Sequence, residues 1–308
     1  MIYTLTLNPA IDYYIDIDRF ELGELNKANG AYTLPGGKGI NVSKVLKNFE
    51  VKSVALGFYG GFTGNYIKTH LKDYGIKDNF IELEEDTRIN IKLKTSHSES
   101  EISGKSPNIS NKNIEELFKL IGNIKEKDIL ILSGSVPNSI SDSIYKDIID
   151  LLKNKNDIKI ILDSRDKAFK KAIKSGVFLS KPNKNELEEY FNKEINSFEE
   201  IVFYSRKLIK EGAQNIIVSM GKDGSVLITK NSVYRGNAPK GKLISSVGAG
   251  DSMVAGIVYG ISKGLSIEKS YKYAIASGSA TACSEGLTSF ETMNKFLNKV
   301  KINKIMEE

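Results

Sequence analysis

Asp128-Ile129-Leu130-Ile131-Leu132-Ser133-Gly134-Ser135-Val136-Pro137 runs apolar without a break and then stops in small polar residues, a glycine and a proline. A run this short, with no polar alternation, predicts a strand buried on both faces. Residues 53–58, 159–162, 177–179 and 215–219 repeat the pattern, and the segments between them read mostly as amphipathic helices. The alternation predicts an α/β fold, a mainly parallel central sheet covered by helices on both faces, with ligands beyond the carboxyl ends of the strands. Neither a low-complexity linker nor an internal repeat interrupts it, so residues 1–308 read as one domain.

Two segments break the pattern. In Ile11-Asp12-Tyr13-Tyr14-Ile15-Asp16-Ile17-Asp18 the period is two, so Ile11, Tyr13, Ile15 and Ile17 share one face while Asp12 and Asp16 take the other. Arg88-Ile89-Asn90-Ile91-Lys92-Leu93-Lys94 alternates in the same way. Half-buried strands need a partner of their own. Segments of about residues 10–34 and 87–103 therefore read as a small accessory sheet standing off the main domain.

Composition narrows the chemistry. A single cysteine, Cys283, excludes an internal disulfide, and His70 and His97 leave no material for a histidine-rich zinc site or a Ser-His-Asp triad. Any metal must then be held by oxygen. With 40% apolar and 27% charged residues the chain reads as an ordinary globule. No apolar run reaches bilayer-spanning length, and a strand at 2–7 stands where a signal peptide would, so a cytoplasmic protein is expected. The net charge of +6 is scattered among acids, as in Lys184-Asn185-Glu186-Leu187-Glu188-Glu189. That is a solvated surface and no nucleic-acid face, though a modest positive bias suits small anionic substrates.

Two glycine-rich turns stand near opposite ends of the chain. Ser245-Ser246-Val247-Gly248-Ala249-Gly250-Asp251-Ser252 reads as a tight turn opening a helix, with a carboxylate in the first turn. Free N–H groups and the helix dipole stabilise an anion there, and Asp251 can take a proton from a nucleophile beside it; a turn with a capping aspartate is the plainer account. Upstream, Pro35-Gly36-Gly37-Lys38-Gly39-Ile40-Asn41-Val42 allows close backbone contact with a ligand, and Ile40, Val42, Val45 and Leu46 start a buried helix. The spacing is not that of a Walker-type P-loop, and no Gly-x-Gly-x-x-Gly follows the first strand.

In this order and at these ends, Gly36 to Val42 and Val247 to Ser252 resemble the paired motifs of the ribokinase-like sugar kinases, specifically the phosphofructokinase B family. Thr6-Leu7-Asn8-Pro9-Ala10-Ile11-Asp12 draws the resemblance toward 1-phosphofructokinases and tagatose-6-phosphate kinases, and it runs over nearly the whole chain. It implies a ribokinase-like three-layer α/β/α fold. The small sheet becomes a lid over the sugar and a homodimer contact, and ATP and Mg²⁺ become the cofactors. The wider family carries an acidic residue ahead of the second turn, in Asp-Thr-x-Gly-Ala-Gly-Asp. Ser245-Ser246-Val247 stands here, which fits the sugar-phosphate branch.

Residue roles follow from motif and position together. Asp251 is the candidate base, a helix start being expected to hold its carboxyl low, and the amides of Val247, Gly248, Ala249 and Gly250 form an anion hole for the moving phosphoryl group. Arg88 and Lys27 match the family's phosphate-binding positions; without the resemblance each is a surface charge. Gly36 and Gly37 allow close approach of the sugar, and Lys38 reaches an anion or simply solvent. Asn41 holds a sugar hydroxyl or caps its helix, Ser135 touches substrate from a strand end, and Asp12 accepts from sugar hydroxyls. On the nucleotide side, Asn183 and Glu186 resemble the family's Asn-x-x-Glu element, which tunes Mg²⁺ through nucleotide and water; equally, they make a cap and a first-turn acid. Ser219, Gly221 and Gly224 sit in a nucleotide-facing turn that also reads as a hairpin turn. Ser277 belongs to a small-residue stretch that admits an adenine ring or lets helices pack closely.

The expected activity is an ATP- and Mg²⁺-dependent kinase of a ketohexose monophosphate, with D-fructose 1-phosphate converted to fructose 1,6-bisphosphate first. Tagatose 6-phosphate or fructose 6-phosphate, phosphorylated at the 1-hydroxyl, share every motif. A binding protein that only senses sugar phosphate would be expected to lack Asp251 or a glycine of its turn, and all are present.

Overall fold

The computed structural model describes residues 1–307. Its first half contains β1 (Ile2–Thr6), β2 (Ala10–Asp16), β3 (Gly30–Gly36), α1 (Lys38–Asn48), β4 (Val54–Gly60), α2 (Gly61–Asp73), β5 (Lys77–Leu83), β6 (Ile89–Lys94), β7 (Glu99–Ile102), α3 (Asn111–Gly122), β8 (Ile129–Ser133) and α4 (Ile144–Leu152). The second half contains β9 (Lys159–Asp163), α5 (Asp166–Ala172), β10 (Leu179–Ser180), α6 (Lys184–Phe191), α7 (Phe198–Glu211), β11 (Asn215–Ser219), β12 (Ser225–Thr229), β13 (Ser232–Gly236), α8 (Ala249–Ser262), α9 (Ile267–Ala282), α10 (Phe290–Leu297) and β14 (Ile302–Glu307).

Ten strands make one sheet in the order β14-β13-β12-β11-β10-β9-β8-β1-β4-β5. Neighbours from β5 to β11 pair in parallel, and β12, β13 and β14 extend that sheet antiparallel. The unbroken apolar runs are explained by what lies on each side. Leu130, Leu132, Leu162 and Val218 join a core built with α3, α4, α6 and α7. Their neighbours Ile129, Ile131, Ile161 and Ile217 face a second core with α1, α8, α9 and α10. Each such side chain contributes roughly 1.5–3 kcal/mol by leaving water. The strand expected at 177–179 is instead a two-residue one, with Val177 in an isolated bridge to Ala213. The Phe178 carbonyl accepts from the Asn215 side-chain amide, and Pro182 brings no N–H to prolong the ladder.

The chain leaves β1 toward β4 and β5 on one side and returns as β8, β9 and β10 on the other. This reversal opens a crevice at the carboxyl ends of β1 and β8. The small sheet, in the order β3-β2-β6-β7, is connected to the main one at that end: β2 leaves from β1, β3 returns into α1, and β6 follows β5. Asp12 pairs with Leu34 on one side and Asn90 on the other, so these three side chains share a face. Ile11 and Ile17 are buried as the alternation predicts, whereas Tyr13 is 38% exposed, because the sheet stands away from the core beyond its base on α2.

Candidate active site

Asn41, one turn into α1, donates through Nδ2 to Asp251 Oδ2 at 2.8 Å, which joins the two glycine turns across 210 residues of sequence. Beside them, Asp163 at the end of β9 holds two ammonium groups, Lys38 Nζ and Lys181 Nζ, each 3.4 Å from its Oδ1. Lys181 and Asp163 are almost wholly buried, at 5% and 1% side-chain exposure. Gly250 completes the ring: a Cβ there would lie 3.3 Å from Lys181 Nζ. Four elements thus bring two carboxylates and two lysines together at the carboxyl edge of the sheet.

The charges set one another. Burial pushes the Asp251 carboxyl up to about 6, and Asp163 adds to that, while Lys38, Asn41 and Lys181 pull the other way. The expectation of a low value at a helix start is therefore corrected, because desolvation outweighs the helix dipole here. Burial alone would raise Asp163 as well, yet Lys181 and Lys38 together hold it below the usual carboxylate range. Lys38 is raised chiefly by Asp163, against burial, with Asp251 and Glu186 also favouring its charge. The start of α6, which carries Glu186, is thus within electrostatic reach of the same lysine.

Gly248 sits at φ 76°, where a β-carbon is strained and would also strike Leu287 Cδ2 at 2.6 Å. The turn it makes aims main-chain donors outward. Of the four amides expected in an anion hole, Val247 already donates to Ser245 Oγ and Ala249 to Ser246 O. The N–H groups of Gly248 and Gly250 have no acceptor among the described residues. In the first turn, Gly36 lies against Asp12, whose Oδ2 would be 2.3 Å from a Cβ at that position. Gly37 packs on Thr6 in the same turn.

On the side of the small sheet, Asp12 Oδ1 accepts from Asn90 Nδ2 at 2.9 Å. Arg88 donates from Nη1 to Ser103 Oγ and from Nη2 to the Asn8 carbonyl, at 2.9 and 3.1 Å. Ser135 Oγ is 3.4 Å from Asn8 Nδ2 and lines a cavity of about 820 Å³ together with Ser164, Arg165, Pro182 and Glu186. Lys44 Nζ donates to the Pro35 carbonyl at 3.2 Å. Lys27 is exposed on the 17–29 loop, without a hydrogen bond or ion pair among the described residues, so this chain does not bring it to the cluster.

The nucleotide-side residues fall into two groups. Asn183 and Glu186 form a reciprocal capping box at the start of α6, both bonds 2.8 Å, as the plainer account expected. Asn183 bridges to Ser219, and both line a cavity of about 470 Å³ with Gly221. Gly224 closes the hairpin from β11 to β12 and Val247 is exposed. Ser277 is fully buried between α8 and α9, its Oγ against Gly256 and without a partner, so the structure does not bring it to the surface of the site.

Asp163, Lys181 and Asn90 were not anticipated. Each is a polar residue at the end of an apolar run or within an alternating strand; Lys181 opens the stretch that carries Asn183 and Glu186, but the resemblance there singles out only those two. The available signal was positional: Thr6, Ser133 and Asp163 stand in register at the ends of three adjacent strands. Thr6 Oγ1, Ser133 Oγ and Asp163 Oδ2 are all buried and without partners among the described residues. Such a row of oxygens suits a polar ligand or a hard cation better than a packed core.

Residues 5–293 match the pfkB family carbohydrate kinases. The chain is 46% identical over 305 residues to the 1-phosphofructokinase of Bacillus subtilis, covering 99% of this chain and 100% of that protein. It is 34% identical over 313 residues to the tagatose-6-phosphate kinase of Staphylococcus epidermidis, covering 100% and 98%. Among solved structures, phosphofructokinase-2 of Escherichia coli in complex with substrates and products superposes with a TM-score of 0.89 at 26% identity, over 96% and 98% of the chains. With its glycine turns joined at Asp251 and its small sheet attached at the same edge, the chain belongs to the pfkB family of carbohydrate kinases.

Proposed function

We propose that the protein is a 1-phosphofructokinase, transferring the terminal phosphoryl group of ATP to the 6-hydroxyl of D-fructose 1-phosphate with Asp251 as the base. The observation that carries this reading is the bond between Asn41 and Asp251, which places the only carboxylate of the second turn at the mouth of the first. Asp12 and Asn41 orient the sugar, Arg88 neutralises its phosphate, and Ser135 donates a hydrogen bond to it. Asp251 accepts the proton of the attacking hydroxyl. The N–H groups of Gly248 and Gly250 and the ammonium groups of Lys38 and Lys181 offset the charge that spreads over the transferring group.

Asn183 and Glu186 are oxygen donors of the kind Mg²⁺ takes; their Oδ1 and Oε2 are engaged in the capping box, so they would reach a metal through water. A bound Mg²⁺ would neutralise nucleotide phosphate charge. The small sheet serves as a lid that keeps water, a competing acceptor, out of the crevice, and as the contact between two copies of the chain. A cytoplasmic setting fits, and no helix among the described residues is long and apolar enough to cross a membrane.

The test is coupled ADP release with D-fructose 1-phosphate, tagatose 6-phosphate and fructose 6-phosphate at equal concentrations. The reading expects D-fructose 1-phosphate to give the highest kcat/KM. A preference for tagatose 6-phosphate would move the chain to the activity of its Staphylococcus epidermidis relative, and no reaction with any of the three would overturn the substrate class.

A further inference from the structure

Asn8 touches each of the connections that Arg88, Ser103 and Ser135 belong to. It lies between β1 and β2, 8% exposed. Its carbonyl accepts from Arg88 Nη2 at 3.1 Å, just ahead of β6. Its Nδ2 donates to Ser106 Oγ at 2.9 Å, on the stretch that returns from β7 to the main domain, and lies 3.4 Å from Ser135 Oγ, on the turn after β8. Arg88 Nη1 is in turn fixed to Ser103 Oγ on that returning stretch. Asn8 therefore ties two entries and one exit of the small sheet to the end of a central strand, holding Arg88 through its backbone carbonyl and the two serines through its side-chain amide.

Two complementary polar atoms of this knot are left over. Asn8 Oδ1 and Arg88 Nε are both buried without a partner among the described residues. Buried polar atoms normally find partners, so a pair left open beside a cleft marks a place where a ligand-bound arrangement is better satisfied than this one.

We propose that Asn8 is a positioning residue for the phosphate of the acceptor sugar: it sets Arg88 and Ser135, carried by separate elements, at one spacing and keeps both in register with the small sheet. The inference rests on the kinase reading above. An amide is the group this position needs. It is neutral, it donates to two hydroxyls at once, and it leaves the guanidinium free to pair with an anion. A carboxylate of the same shape would pair with Arg88 itself and compete with the phosphate.

The test compares wild type, Asn8→Ala, Asn8→Asp and Ser106→Ala by steady-state kinetics with D-fructose 1-phosphate and ATP, by thermal melting, and by ADP formed without sugar phosphate. Asn8→Ala is expected to raise KM for the sugar phosphate roughly tenfold or more while KM for ATP stays within about twofold. Asn8→Asp should raise the sugar-phosphate KM further although it melts no lower than Asn8→Ala, since serine hydroxyls can turn and donate to a carboxylate. Ser106→Ala, which removes one anchor of the amide from a partly exposed site, should raise it by about threefold. Unchanged KM for the sugar phosphate in Asn8→Ala and Ser106→Ala overturns the proposal. So does a loss that falls equally on both substrates and follows the melting temperature, which would assign Asn8 to packing alone. A wild-type protein that releases no ADP with any sugar phosphate would instead refute the kinase reading beneath it.

Discussion

Asp251, the proposed base, works against its own burial: its carboxyl is held near 6, well above an exposed aspartate. A base with a raised pKa is stronger than one at a bare helix start and still ionised at neutral pH. The sign follows directly. The base form is present above that pKa and lost as pH falls through it, so log(kcat/KM), which reports the unliganded enzyme, should decline with unit slope below about pH 6, and that acid limb should vanish in Asp251→Asn. The same variant should lower kcat by roughly 10²–10⁴-fold, with the melting temperature unchanged or raised because a buried charge is removed. Near-normal turnover in Asp251→Asn would take this carboxylate out of the mechanism. At this scale the sequence was legible wherever a residue sits inside a glycine turn: Lys38, Asn41 and Asp251 were named from spacing and meet in space. Asp163 and Lys181 were not, because nothing local distinguishes a lone polar residue closing a strand. Only the parallel register and the two 3.4 Å ion pairs show what they do. The Asp251 pKa was misjudged for a related reason, since a helix terminus is visible in sequence and desolvation is not.

Helix α8 carries Asp251, and its position is fixed by how closely α9 approaches it. A Cβ at Gly256 would lie 2.4 Å from the Tyr273 carbonyl, and one at Gly278 would lie 2.4 Å from Met253 Cγ. The first contact is with backbone, so it cannot be relieved by a rotamer. Gly256→Ala should push the helices apart, cost about 1–3 kcal/mol in denaturant unfolding, and lower kcat by more than it lowers the affinity for either substrate. Retention of both stability and kcat would show that α8 is positioned by the turn at Gly248 instead. The strands at 53–58, 128–132, 159–162 and 215–219 were readable from apolar runs because two helical layers cover both faces of the sheet. The expected strand at 177–179 is present in pieces, a parallel bridge at Val177 and the pair Leu179–Ser180, with the Phe178 carbonyl between them accepting from the Asn215 side chain. Ser277 shows a limit. Small residues on α9 fit an adenine pocket or close helix packing equally well in sequence, and the α8–α9 contact uses them for packing.

The small sheet leaves apolar surface that one chain does not cover. Tyr32 and Leu34 are 58% and 42% exposed on the face that carries Asp12, with Tyr32 stacked on Tyr14 at a centroid distance of 4.7 Å. On the adjoining 17–29 loop, Leu22 is 89% exposed beside the unpaired Lys27. Contiguous aromatic and aliphatic surface on a sheet of four strands is the kind that a second copy buries. In solution the protein is therefore expected to sediment at twice the 34.1 kDa of the chain, and Tyr32→Lys with Leu34→Lys should bring it to the monomer mass. If the contact also braces the lid, the monomeric variant should show a raised KM for the sugar phosphate, an ATP KM within about twofold of wild type, and more ADP formed in the absence of sugar, because a loose lid admits water to the crevice. Sedimentation equilibrium and ADP release measured on the same preparations separate the possibilities. A wild-type protein that is a fully active monomer at micromolar concentration would remove the small sheet as an interface, and a dimer whose dissociation leaves both KM values unchanged would leave it as a contact that closure over the sugar does not need.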